Sequence, residues 1–152
     1  MTKVVWQYQR EIKENPEPDR KLFIARERSY HGATLGALDL SGHEARRAAY
    51  EPMLAKNMRL LPPCYPYRDR LDGETDAEYV QRLKQVFVDK VEELGSGNVA
   101  GFIVEPVVGA VSDCYIISLN LRYPSSLRIA IPADIVSRHL VVLRQWTATL
   151  WQ

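Results

Sequence analysis

The chain has 152 residues, enough for one domain with its own core, and its 20 Lys plus Arg against 19 Asp plus Glu leave a formal net charge of +1. No basic stripe or acidic tail appears, which argues against nucleic acid as a partner. No apolar run approaches the roughly 20 residues of a membrane helix, and Lys3-Val4-Val5-Trp6 gives way at once to polar residues, unlike a secretory leader. Cys64 and Cys114 form no C-x-x-C and have no histidine at ligand spacing. The expectation is therefore free thiols, no structural metal and a soluble cytoplasmic protein.

Thr2 to Glu14 reads as a helix, with Val5, Tyr8 (or Gln9) and Ile12 at helical spacing and Asn15-Pro16 closing it. Leu22-Phe23-Ile24-Ala25 is a short buried strand. It runs into Ser29-Tyr30-His31-Gly32-Ala33-Thr34-Leu35-Gly36, the pattern of a strand–turn–helix junction. In an open α/β sheet, ligands sit outside the carboxyl ends of strands. Tyr30 and His31 are thus candidates for such a rim, with Gly32 allowing close approach. A short helix is expected over residues 33–40, another helical piece over 43–50, and a strand at Met58 to Leu61. Pro62-Pro63-Cys64-Tyr65-Pro66-Tyr67 reads as a rigid extended loop. Arg46-Arg47 reads as a solvated helix face.

The sharpest local signal is Thr75 with Glu78 three residues later, a capping box that opens a helix. Tyr79, Val80, Leu83, Val86, Phe87, Val91 and Leu94 then share one face, and Gly95 is placed to end the helix in a left-handed cap. Gly95-Ser96-Gly97 follows a helix and precedes a strand, the wrong polarity for a phosphate cradle, so it is read as a plain turn. Val99 to Val104 is a second buried strand, ending in Glu105-Pro106. The alternation up to Val111 predicts an α/β fold with a mostly parallel sheet.

Beyond Val111 the composition changes. All six lysines and 17 of the 19 carboxylates lie in residues 1–112, and residues 113–152 hold only Asp113 and Asp134. Ordinary domains keep a steadier charged fraction. The segment 112–152 is expected to be an irregular, divergent tail of out-of-frame or intron-derived character, distinct from a domain over 1–111.

Three stretches carry a family resemblance: Phe23-Ile24-Ala25-Arg26-x-x-Ser29-Tyr30-His31-Gly32-x-Thr34-Leu35-Gly36-Ala37, then Gly42-His43 with Tyr50-Glu51-Pro52, then Gly101 to Ala110 with Glu105-Pro106 at its centre. Over residues 3–111 the chain resembles the large domain of class III (omega-type) aminotransferases of fold type I. These enzymes use pyridoxal 5′-phosphate to move an amino group from an amine or amino acid to a keto acid. The resemblance implies that Tyr30 stacks on the cofactor ring, His31 and Gly32 shape the same wall, and Glu105 is the strand-end carboxylate beside it. Ala110 replaces a glutamate that often pairs with a mobile arginine, which implies the amine:pyruvate branch. It also implies a homodimer.

The same resemblance implies what is missing. The family's Gly-Ser phosphate loop precedes the helix matching residues 2–14, and its ring-nitrogen acid and Schiff-base lysine lie beyond Val111. None of Lys3, Lys13, Lys21, Lys56, Lys84 or Lys90 matches that lysine, so no catalytic residue is assigned. The chain is expected to be an inactive partial cofactor domain with weak cofactor affinity. Two other readings remain: a non-catalytic module pairing with an intact aminotransferase, and an unrelated α/β protein binding a small ligand through Tyr30, His31 and Glu105. Without the resemblance, Tyr30 is an ordinary rim aromatic, His31 a local hydrogen-bonding residue and Glu105 the end of a strand.

Overall fold

Four strands line up in parallel, and their order explains which residues meet at one edge. The structure is a computed structural model that describes residues 2–12, 14, 16–105, 107–108, 115–116 and 141–144. In chain order the elements are α1 (Thr2–Gln7, continued as a π-helix over Tyr8–Ile12), β1 (Leu22–Arg26), α2 (Leu35–Leu40), α3 (Glu44–Arg47), β2 (Met58–Leu61), α4 (Pro66–Asp69), α5 (Asp76–Leu94), β3 (Val99–Val104), β4 (Val107–Val108), β5 (Tyr115–Ile116) and β6 (Val141–Arg144). The sheet order is β2-β1-β3-β6, and all three pairings are parallel. Strands β4 and β5 form a separate antiparallel pair.

Both faces of this sheet are covered, so its inner strands read as continuous apolar runs rather than as alternations. On one face α5 packs Tyr79, Leu83, Phe87 and Val91 against Ile24, Leu61, Val99, Phe102 and Val104. The Phe87 and Phe102 rings lie 5.1 Å apart in a tilted pair. On the other face Val5 and Leu40 meet Phe23, Ala25, Met58, Ala100 and Ile103. Val99 and Phe102 share a face although they lie three positions apart, an odd spacing that would put them on opposite faces of a regular strand. The reason is a register shift: Leu22 pairs with Val99 but Phe23 with Gly101, leaving Ala100 as an extra residue in β3.

Several expectations shift in detail. The first helix widens into a π-helix at Tyr8–Ile12; of the two residues left open, Gln9 is buried and Tyr8 is exposed. The loop at 62–67 is not extended throughout, because Pro66 sits at the first position of the one-turn helix α4. Proline suits that position, where the missing N–H has no helical partner to lose. The capping box of Thr75 and Glu78 is present. Gly95 has φ +77° and ψ +117°, so it takes the positive φ foreseen, but its ψ departs from a regular left-handed turn. Gly95-Ser96-Gly97 is a turn: Ser96–Asn98 forms a single 3₁₀ turn. The expected irregular tail falls mostly outside the described residues, as do Cys114 and Ala110. Within it, β5 and β6 are the described parts.

Candidate functional site

The site begins where β1 and β3, neighbours in the sheet, both end at the same edge. After Arg26 the chain buckles through Glu27 and Arg28, and Arg28 takes a positive φ of 56°. Non-glycine residues hold that conformation only where their surroundings fix it. Here the fixing comes from the loop after α2. Arg28 N–H donates to Gly42 O at 3.0 Å, and Gly42 N–H donates to Ser29 O at 3.0 Å. The two backbones lie so close that a Cβ on Gly42 would stand 2.3 Å from Arg26 O and 2.8 Å from Arg28 N. Only glycine fits.

Two serines finish the arrangement. The Ser29 hydroxyl donates to Arg26 O at 2.6 Å, and Ser41 Oγ accepts the His31 N–H at 2.9 Å while donating to Ala37 O at 2.8 Å. Gly32 then turns the chain with φ +127°, and a Cβ there would come within 3.0 Å of the Ala37 Cβ. Thr34 caps α2, its side chain accepting from Ala37 N–H, so the helix begins at Leu35 rather than at Ala33.

Glu105 ties this loop to the sheet. It follows β3, is 1% exposed, and its Oε2 accepts the Tyr30 N–H at 2.8 Å. Its Oε1 is buried and has no hydrogen-bond partner among the described residues. Burial pushes the Glu105 carboxyl up, and the Tyr30 amide offsets this in part. Tyr30 is half-buried, and His31 is buried. Tyr30, His31, Gly32 and Glu105 are therefore brought together at the carboxyl edge of β1 and β3, as a single rim.

Arg47 corrects the solvated-face expectation, whereas Arg46 stays exposed. Arg47 Nη1 donates to three carbonyls at the end of α2, Leu38 O at 3.0 Å, Asp39 O at 2.7 Å and Ser41 O at 3.0 Å. It satisfies the helix's orphan acceptors and opposes the negative end of its dipole. Arg46 is exposed, and its guanidinium lies 4.6 Å from the Tyr30 ring centroid. Ser29, Ser41, Gly42, Arg46 and Arg47 thus belong to the rim's construction, and local sequence patterns gave them no such role. Ser41-Gly42 signalled only a helix stop, and its contact with residues 26–29 is tertiary.

The described residues contain no metal-ligating cluster and no helix long and apolar enough to cross a membrane. Cys64 is free and buried, and burial raises its thiol pKa, which leaves it a poor nucleophile.

Compared with known proteins, residues 2–116 match the family model described as aminotransferase class III. An aminotransferase of Gibberella zeae is 46% identical over 110 residues, covering 71% of this chain and 21% of that protein. The mitochondrial gamma-aminobutyrate transaminase 1 of rice is 38% identical over 109 residues, covering 71% of this chain and 20% of its own length. Among solved structures, the omega transaminase of Pseudomonas jessenii in complex with PMP superimposes with a TM-score of 0.68 at 27% identity, covering 76% of this chain and 24% of that one. The chain spans about a fifth of the length of these curated relatives.

Proposed function

This chain belongs to the class III aminotransferase family, and we propose that its rim of Tyr30, His31, Gly32 and Glu105 forms one wall of a pyridoxal-phosphate site. Enzymes of the family depend on that cofactor and act on amines and keto acids. The observation that carries the reading is the Glu105 Oε2 bond to Tyr30 N–H, which joins two distant sequence motifs into one surface.

The residues fit the ring side of such a group. Tyr30 offers a half-buried aromatic face, and a guanidinium already lies over it. Glu105 keeps one buried oxygen without a partner among the described residues. Gly32 keeps the turn free of a side chain. When bound, the cofactor supplies an electron sink for carbanion chemistry next to the transferring amine. This chain's residues hold and orient: Tyr30 positions a planar ring by stacking, Glu105 fixes the Tyr30 backbone, and Ser41 fixes that of His31.

The fit stops at the ring. Lys21 and Lys56 lie before β1 and β2, at the amino edge, and Lys3, Lys84 and Lys90 lie on α1 and α5. Among the described residues, then, no lysine follows a strand's carboxyl end, and none is placed to link covalently to a ring held by Tyr30. We therefore read this chain as non-catalytic on its own, with its 1–111 segment acting as a cofactor-wall unit. The amine:pyruvate preference rests on Ala110 alone. A homodimer, as the resemblance implies, and a cytoplasmic location are part of the same proposal. Sedimentation and cell fractionation test those two points.

An absorbance titration with pyridoxal 5′-phosphate tests the central reading. Weak, saturable binding that is lost in Tyr30→Ala, without a covalent protein-bound chromophore near neutral pH, is the expected result. Tight binding with such a chromophore contradicts it.

A further inference from the structure

Arg46 lies over the exposed side of the rim, against the Tyr30 ring. Arg47, its neighbour, clamps α3 to the end of α2 through three carbonyls, and this holds Arg46 beside the rim. Four arginines pair with carboxylates: Arg20 with Glu17, Arg47 with Glu51, Arg70 with Asp76 and Arg82 with Glu74. No ion pair between Arg46 and a carboxylate occurs among the described residues. Its guanidinium rests instead over the Tyr30 ring, 4.6 Å from the centroid.

A guanidinium is planar, delocalised and weakly hydrated, so it stacks on aromatic faces better than an ammonium does. Its attraction to tyrosine is electrostatic, between a cation and the negative face of the ring. A flat, electron-poor heteroaromatic ring presents the same features to the same face. We propose that Arg46 is a built-in occupant of the Tyr30 face, a side chain that stands in for a planar cationic ring and must swing away when one binds. The site is thereby specific for flat, electron-poor rings, and ligand affinity is lowered by the strength of the arginine–tyrosine contact. This inference rests on the reading of Tyr30 as a ring-stacking wall.

The test is a fluorescence titration of the whole chain with pyridoxamine 5′-phosphate, which cannot form an imine with a lysine. Wild type, Arg46→Ala, Arg46→Lys, Tyr30→Ala and the Arg46→Ala/Tyr30→Ala pair are compared. Removing the occupant in Arg46→Ala should tighten binding about two- to fivefold, the size of an exposed cation–π contact. Arg46→Lys should fall between, because an ammonium stacks less well. The Arg46→Ala gain should vanish in the Tyr30→Ala background.

Weaker or unchanged binding in Arg46→Ala overturns the inference. If that loss is absent with pyridoxamine lacking its phosphate, Arg46 is an anion contact instead. The wall reading fails separately: its signature is equal binding by wild type and Tyr30→Ala, or no binding by any variant, and in that case the Arg46 inference falls with it.

Discussion

The two edges of one parallel sheet each bury an ionisable side chain, and they hold it with different numbers of hydrogen bonds. At the amino edge Arg20, 2% exposed, donates to Ser96 O at 2.6 Å, to Val99 O at 2.8 Å and to Glu17 Oε1 at 2.9 Å. It stitches the start of β3 to the approach to β1. At the carboxyl edge Glu105, equally buried, receives one N–H and keeps a second oxygen without a partner among the described residues. A buried ionisable group is tolerated when its hydrogen-bonding capacity is met, and is costly when it is not. The amino edge anchors its buried group with three hydrogen bonds, and the carboxyl edge gives its own only one. That asymmetry matches where α/β sheets place ligands.

The comparison can be broken at either edge. Arg20→Ala should cost the most, about 3 kcal/mol, because it removes the donor to the buried Val99 carbonyl, to the Ser96 carbonyl and to the Glu17 carboxylate. The urea unfolding midpoint should drop sharply, while the relative protection of the Tyr30 amide against exchange stays the same. Gly42→Ala should cost about 2 kcal/mol, since its Cβ would collide with the Arg26–Arg28 backbone. Here the damage is local, and the Tyr30 and His31 amides should exchange faster than the core of β3.

Glu105 gives the next smaller effects. Glu105→Ala leaves the Tyr30 N–H without its acceptor and should cost about 1–2 kcal/mol. Glu105→Gln keeps an accepting oxygen and should cost less. The pH dependence separates it further. The native Glu105 carboxyl is raised by burial, so the folded chain binds this proton more tightly than the unfolded chain. Its stabilising share is complete below the unfolded value of about 4.3 and is lost as pH rises through the native value. Glu74 does the reverse. Its hydrogen bonds with Arg82 hold its carboxyl down at about 2, so its share is present above the unfolded value and fades as pH falls toward 2. Chemical denaturation across pH 2–8 should therefore show a flatter profile above about pH 4.3 in Glu105→Gln and a flatter acid limb in Glu74→Gln. If both variants keep the wild-type profile, the account of these two carboxyls is wrong.

What sequence could and could not reveal follows from the range of the interactions. The strand Met58–Leu61 and the capped helix α5 are written in local patterns, apolar runs and the Thr75–Glu78 box, and both stand where those patterns place them. Tyr30, His31, Gly32 and Glu105 were marked as strand-end residues by the same logic, and the sheet order brings them to one edge. The supports were invisible. Ser41 and Gly42 act on residues 26–31 across a turn and a helix, and Arg47 acts on carbonyls that exist only once α2 has formed. The register shift at Ala100 likewise depends on the partner strand and leaves no trace in β3's own apolar run. Of the two residues that helical spacing from Val5 left open, Gln9 at i+4 is the buried one and Tyr8 at i+3 is exposed.

The most direct test of the rim as one ring-binding wall is a chemical-shift titration of the isotopically labelled chain with pyridoxamine 5′-phosphate. The account predicts perturbations concentrated at Tyr30, His31, Gly32, Arg46 and Glu105, with Arg20, Ser96 and Val99 at the opposite edge unmoved. Perturbations centred on the amino edge, or scattered without a focus at Tyr30 and Glu105, would contradict it.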